Sequence, residues 1–598
     1  MVVPGQRPVT QPLLSMPVYH PAGTLSDTTR QLCCAPYVDV EFADKVIHEV
    51  VEAERKAVPP SYGFDLDPVV RHSLRARRLQ IIRYAMVTGL LVGGLILNPA
   101  VTIGWLLLCA VVVGLRSWAA RALPPALRVL FGVVAAIVIL CVAASAIASA
   151  VIGQLASSAG LGGLAGSGSS VADAAGLFGG AARQGLLVLV AAGTFLALFL
   201  SRRHTYGIVA TELAPGAVAS APRTGNPRVE RRLAIVAAMQ RGNIAVHDID
   251  PYAGAGFPYY SWSFAVTLKP AGSDDRPRRN GRRAAVHLDT MALNRRVSDA
   301  IIALRDTRLR EGERIPNVFV VPYVAADGNR RYDDPLIDPQ TRTPRTLASP
   351  ETLAAIEACP QGGLRHYLRA VIPANGKEIR TADGRLVLPA QDSGIGVTAF
   401  VHLAVEGGML YAEFVATVMP QVDPRFHLVD KLRPERVQTR AAMDTLREFL
   451  RDNLLAPVFL IRSGWNAIRL QSRMARSASA ADEWRTYDYG ASTSVRELGA
   501  EMPTTKFMQR LDAAKYIKLL DRAIAESIVE FLDENGIDTS EFVQAVMNVT
   551  NNFAGAFIND SIVNFGGTNT NTQNNNRGAD DRRTAAPNPG SSGGRARA

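Results

Sequence analysis

The chain of 598 residues is long enough for several domains, is 48% hydrophobic and carries a formal charge of +11. The positive excess is concentrated: between residues 71 and 203 eleven basic side chains stand against a single acid, Asp173, beside a set of nearly uncharged apolar runs. Basic residues so placed orient a chain in a bilayer, which excludes a simple soluble protein and argues against nucleic acid as a partner.

Five cysteines, with Cys33 and Cys34 adjacent and Cys109 and Cys141 inside apolar runs, give neither a disulfide framework nor zinc-ligand spacing. No metal or other cofactor is expected. The first 30 residues lack the apolar core of a signal peptide, so insertion falls to internal segments. Arginine outnumbers lysine 57 to 8, the coding habit of a GC-rich genome.

Residues 1–70 form an acidic segment with one expected helix, VDVEFADKVIHEVVEAERKAV, in which Val40, Ala43, Val46, Ile47 and Val50 recur at helical spacing before Pro59-Pro60. Residues 71–203 read as a transmembrane domain with spans near 82–98, 100–116, 129–152 and 184–200. The first two are expected to form a short hairpin, because proline disfavours a helical conformation at Asn98 and a single helix over 84–115 would run to about 48 Å, far beyond the bilayer. The arginines agree. With four spans, Arg71 to Arg83, Arg116 to Arg128 and Arg202-Arg203 all fall on the cytoplasmic side. Residues 153–183, rich in Gly, Ser and Ala, read as a flexible outer loop. Gly89, Gly93 and Gly94 permit close helix contact, by packing within the chain or by dimerisation.

From 204 to 425 helix and strand signals alternate, as in a cytoplasmic α+β domain. HTYGIVATEL, NIAVHDID, YYSWSFAVTLKP and NVFVVPYVAADG read as strands, VERRLAIVAAMQRG and LNRRVSDAIIALRDTRLREG as helices, and GVTAFVHLAVEGGMLYAEFVATVMP as a hairpin turning at Gly407-Gly408. His247, Asp248, Asp250, Gly254 and Gly256 make up a weak candidate pocket. The GAGF run imitates a phosphate loop without its third glycine or its following helix, and the histidine and aspartates lack a metal signature. Asp333, Asp334 and Asp338 are best explained by turns, and the arginine run at 276–283 by a solvated loop. No residue is assigned as catalytic, since the common nucleophile, P-loop and zinc-protease motifs are absent. The stretch NIAVHDIDPYAGAGFPYYSWSFAV resembles a segment of large multi-span actinobacterial membrane proteins without assigned chemistry.

Residues 426–500 are a long helical and linker region. Within MDTLREFLRDNLLAPVFLIRSGWNAIRLQSRMAR, a helix lying in the membrane interface and a core helix kinked by Pro457 fit equally well. Residues 501–547 are expected to form C-terminal helices, with Ile517, Leu520, Ile524, Ile528 and Phe531 as one stripe, Asn535-Gly536 as the stop and Asp538 with Glu541 as a capping pair. The Asn/Gly-rich segment 548–598 is a disordered or interaction tail, with Phe553, Ile558, Ile562, Val563 and Phe565 as its candidate contacts. KYIKLLDRAIAESIVEFLDENGIDTSEF with that tail resembles a C-terminal module of conflict and homotypic-signalling proteins, which implies recruitment of a like copy or of a partner protein. The expected partners are therefore the lipid bilayer and a protein, and the expected role is a membrane-anchored scaffold or signalling protein. A membrane-surface enzyme and an envelope structural protein are the alternatives.

Overall fold

The computed structural model describes residues 15–16, 24–122, 170–217, 221–271, 288–310, 312–359, 363–373, 379–381, 383–388, 394–501 and 507–547. The expected span at 129–152, the arginine run at 276–283, and the tail with Phe553, Ile558, Ile562, Val563 and Phe565 lie outside the described residues.

The N-terminal segment folds as α1 (Asp27–Val38) and α2 (Val40–Val46), the latter continuing into a π-helical turn over Ile47–Glu52. Ser26 caps α1 by accepting from the Thr29 amide, and Asp39 caps α2 by accepting from Glu41 and Phe42. The expected apolar face is buried at Ala43, Val46, Ile47 and Val50. It packs on α3 (Leu66–Leu97) within the same core as the end of α5 (Ser170–Thr211) and α6 (Pro227–Gln240).

Among the described residues three helices are long and apolar enough to cross a membrane: α3, α4 (Pro99–Ala122) and α5. Asn98 breaks the helix between the first two with an extended backbone, φ −154° and ψ 98°, and its Oδ1 accepts from the Val101 amide. Both arms meet α9 (Val437–Glu483), Tyr84 of α3 against Phe459 and Arg116 of α4 on the Arg447 carbonyl, so the chain turns back at Asn98-Pro99. A side chain at Gly94 would collide with Thr102 Oγ1 at 2.9 Å and Val190 Cγ2 at 3.0 Å, so this glycine serves packing inside the chain.

Two expectations around α5 are corrected. Residues 170–183, expected in a flexible loop, form its first turns, where six alanines or valines favour helix over loop. The expected strand at 204–213 is helix as far as Thr211, because Ile208, Val209 and Ala210 are buried against the N-terminal helices. Burial here overrides a β-branched run that looks extended.

The sheet has strands β1 (Ile244–His247), β2 (Phe257–Thr267), β3 (Phe319–Asp327), β5 (Leu364–Ile372), β8 (Gly396–Glu406) and β9 (Met409–Met419), in the order β1-β3-β5-β8-β9-β2. Of these strand pairs, among the described residues, β1/β3 is parallel and the others are antiparallel. Short ribbons pair β4 (Asn329–Arg331) with β10 (Thr486–Asp488) and β6 (Ile379–Arg380) with β7 (Leu386–Leu388). The hairpin turns at Gly407 (φ 59°) and Gly408 (φ 78°), both left-handed as a two-residue hairpin turn requires.

Alternation along the strands sorts two faces. Leu368, Ala370, Val397, Ala399, Val401, Ala412, Phe414 and Ala416 pack beneath α7 (Thr290–Ala303) and α10 (Phe507–Glu534). The helix expected to reach Gly312 ends at Ala303, because Asp306 folds the next residues into a turn by accepting from the Arg308 amide. Helix α8 (Pro350–Ala358) lies beside β5. The sheet domain is larger than residues 204–425, since Ile517, Leu520, Ile524 and Ile528 of α10 are fully buried on it. Trp262 Nε1 donates to Asp521 Oδ1 at 2.8 Å and pins α10 across β2. Gly536 (φ 66°) ends α10 as expected, and a last helix spans 540–547.

Candidate functional site

The second sheet face carries polar and aromatic side chains: Tyr367 and Arg369 from β5, Thr398, Phe400 and His402 from β8, and Glu413, Val415 and Thr417 from β9. Register places Arg369 beside Phe400 and Phe400 beside Val415. The loop 248–256, which joins β1 to β2, crosses this face. Asp250 Oδ1 accepts from the Tyr252 amide at 2.9 Å, making an Asx turn that aims the Tyr252 ring at Phe400. The Tyr252 hydroxyl donates to Glu413 Oε1 at 2.9 Å, and Tyr323 Oη donates to the Pro251 carbonyl at 2.6 Å. Burial and the Glu413 carboxylate both keep the Tyr252 phenol protonated.

Gly254 (φ 89°) and Gly256 (φ 101°) give the end of the loop its shape. Their amides point to one atom, Glu497 Oε1, at 2.7 and 3.2 Å. Glu497 lies on a short helical turn, Val495–Leu498, held by Ser494 accepting from the Arg496 amide. Two converging backbone N–H groups form an anion nest. Here an internal carboxylate fills it. Burial pushes the Glu497 carboxyl up to about 7, although the two amides pull the other way. Neither glycine tolerates a side chain: one at Gly254 would touch Pro60 O at 3.0 Å, and one at Gly256 Val418 O at 2.4 Å.

Beside the nest Arg369 is 1% exposed. Its Nη1 donates to the Pro60 carbonyl at 2.9 Å, its guanidinium lies 5.4 Å from the Tyr323 ring centroid and 5.5 Å from that of Phe400, and among the described residues its Nε has no hydrogen-bond partner. A cavity of about 40 Å³ opens between Gly254, Arg369, Thr398, Met419 and Arg496. That space holds a water or two and falls well short of the roughly 300 Å³ at which small-molecule pockets begin.

The remaining candidates do not converge. His247 ends β1, where Ala491 bridges it; its Nδ1 is buried without a partner among the described residues, and burial shifts the imidazole toward the neutral form. The Asp248 amide is bonded to the Ala491 carbonyl at 3.2 Å, with Gly490 pressed against it. Among the described residues no group of three His, Cys, Asp or Glu side chains could hold a metal ion. Asp334 and Asp338 accept from the amides of Leu336 and Gln340, as Asx turns do. Glu497, Arg369, Tyr252 and Glu413 were not singled out in the sequence; the glycine pair hinted at an anion, but the one it binds is 243 residues away.

Residues 261–571, more than half of the chain, match the family model of the AbeC-like domain. The chain belongs to that family. No curated protein and no solved structure matches it. The AbeC-like domain starts inside β2 and runs through β3, β5, β8, β9, α9 and α10. Glu497, Arg369 and Glu413 lie within it, whereas Gly254 and Gly256 lie ahead of its start. The nest is therefore assembled between the AbeC-like domain and the segment that links it to the three apolar helices.

Proposed function

We propose that this AbeC-like domain protein is a membrane-anchored, non-enzymatic scaffold or signalling protein of the bacterial inner membrane, with four spans and both termini cytoplasmic. Its sheet domain and C-terminal segment would mediate interaction with a partner protein or a second copy. The observation that carries this reading is the fixed joint between anchor and body. Helices α3 and α5 run unbroken from apolar segment into the core built with α1, α2 and α6. Helix α9 then packs on α3, α4 and α5 and ends among Tyr489 and Ala491 at the sheet margin. An anchor fixed in this way holds the sheet domain in one orientation to the bilayer. That suits presentation of a surface, while a 40 Å³ cavity and an anion nest already occupied by Glu497 suit turnover poorly. The sidedness of the arginines supports four spans: Arg83, Arg116 and Arg202 all lie at the α9 end.

The test is removal of residues 548–598 from the full chain, followed by cross-linking in native membranes. Loss of cross-linked species with unchanged membrane retention is expected, with Phe553, Ile558, Ile562, Val563 and Phe565 as the contact residues. Unchanged cross-linking would sink the reading. A membrane-surface enzyme is the second reading, favoured by one group, the Glu497 carboxyl near neutrality beside Arg369. An activity lost in a His247→Ala, Asp250→Ala double variant would support it.

A further inference from the structure

Helix α9 is amphipathic in the opposite sense to a helix docked on a soluble core. Between 441 and 463 its most deeply buried residues include the small and polar Ala441, Thr445, Asp452, Asn453, Ala456 and Ser463, with Phe449 and Phe459 half-buried beside them. Its outer side is large and apolar, with Leu446 71%, Val458 59%, Ile461 71%, Trp465 52% and Ile468 78% exposed. Spacings of 3, 4 and 3 from Val458 to Ile468 place these side chains on one face. A soluble protein rarely leaves such a stripe in water.

The stripe is bordered along one edge by Arg451, Arg462, Arg469 and Arg476, seven or eleven residues apart and so on one line of the helix. The Arg469 guanidinium sits 3.9 Å over the Trp465 ring. The level of the helix is also given. Arg116 donates to the Arg447 carbonyl and Arg202 to Asp452, so α9 lies where the apolar helices end and their arginines begin. Inward, Phe449 packs on Trp105 and Phe195, so the stripe continues the outward apolar faces of α3, α4 and α5, where Met86, Leu107, Leu115 and Leu200 are exposed. Apolar outward residues, an arginine edge and a tryptophan at headgroup height are the requirements of a helix lying in the membrane surface.

We infer that α9 is an interfacial membrane helix, its face from Leu446 to Ile468 embedded at the headgroup–acyl boundary of the leaflet on the sheet-domain side and its arginine edge on anionic lipid headgroups. The inference rests on the membrane-anchored reading and adds a second, parallel contact that sets the height of the sheet domain above the bilayer.

The test reconstitutes the full chain and its Trp465→Phe variant into vesicles of phosphatidylcholine and phosphatidylglycerol, with or without acyl chains brominated near the headgroup. Subtracting the variant isolates Trp465 emission from that of the other tryptophans. Trp465 should lose about half its emission to brominated lipid and be shielded from aqueous acrylamide, as a side chain at the acyl boundary would be. Quenching by acrylamide alone would put the stripe in water, and protection from both quenchers would put a protein on it; either overturns the inference. A carbonate wash separates the two levels of failure. Protein released by the wash refutes the membrane anchor itself, whereas protein retained with unquenched Trp465 refutes only the interfacial helix. Quenching no deeper with phosphatidylglycerol than in pure phosphatidylcholine would remove the headgroup role of the arginine edge.

Discussion

Replacing Glu497 with glutamine changes one proton-binding group and little else, because the amide oxygen can still accept from Gly254 and Gly256. The carboxyl is raised from its ordinary 4.5 to about 7, chiefly by burial. The folded protein thus holds this proton more tightly than the unfolded chain does. Stability from this group is full below pH 4.5, falls as the pH rises through the window to about 7, and is level above it. At about 1.4 kcal/mol per pH unit the drop is about 3 kcal/mol. The glutamine variant has no such slope, so it should match the wild type near pH 5 and exceed it at pH 8. Glu497→Ala should instead be less stable than Glu497→Gln at both, since it leaves two buried amides unmet at about 1–3 kcal/mol each. Thermal unfolding of the detergent-solubilised chain at the two pH values reads all three proteins. An equal gap between wild type and Glu497→Gln at pH 5 and pH 8 would refute the buried, proton-holding nest.

Five further substitutions probe other joints. Gly256→Ala combines a φ of 101° with a Cβ 2.4 Å from Val418 O and should cost more than about 3 kcal/mol, whereas Gly407→Ala, at φ 59° with open space around it, should cost about 1 kcal/mol in the same unfolding assay. Ile524→Ala should cost about 2–5 kcal/mol and expose α10 to limited proteolysis, because Ile524 is wholly buried between α10 and the sheet. Asp452→Ala should cost about 3 kcal/mol and Glu448→Ala less than about 1, since Arg202 pairs with both but only the Asp452 side chain, 10% exposed, is out of water. Equal effects of the last two would show that the joint between α5 and α9 is as wet as an ordinary surface pair.

Much of the fold was legible because the local signals agreed with the packing. The β8–β9 hairpin combines alternation with a glycine pair that takes the left-handed turn, and α10 presents its stripe every third or fourth residue up to the stop at Gly536. The errors came where packing overruled local preference. Residues 204–211 look like a strand because they are rich in β-branched and aromatic side chains, yet they prolong α5 since their burial against α1 and α2 needs a helix. The candidate site was half legible for a different reason. The GAGF run looks only superficially like a phosphate loop, and a carboxylate supplied by the chain itself leaves no local trace, since Glu497 stands in an unremarkable SVRELG turn.

Helix α9 shows where sequence periodicity stops being informative. Spacing of 3 and 4 proves that a helix has an apolar side; it does not tell whether protein or lipid takes that side, because both solvents want the same residues. The deciding evidence is what occupies the opposite face. A helix buried by its apolar side would turn Asp452, Asn453 and Ser463 to water, whereas here they are buried and Ile461 and Ile468 are not. Asp452 finds its partner at the end of an apolar helix, on Arg202, and the Asn453 amide donates back within α9 to the Phe449 carbonyl. A buried Asp452 paired with Arg202 on one side and an exposed Ile461 and Ile468 on the other are what the proposed interfacial position of α9 requires.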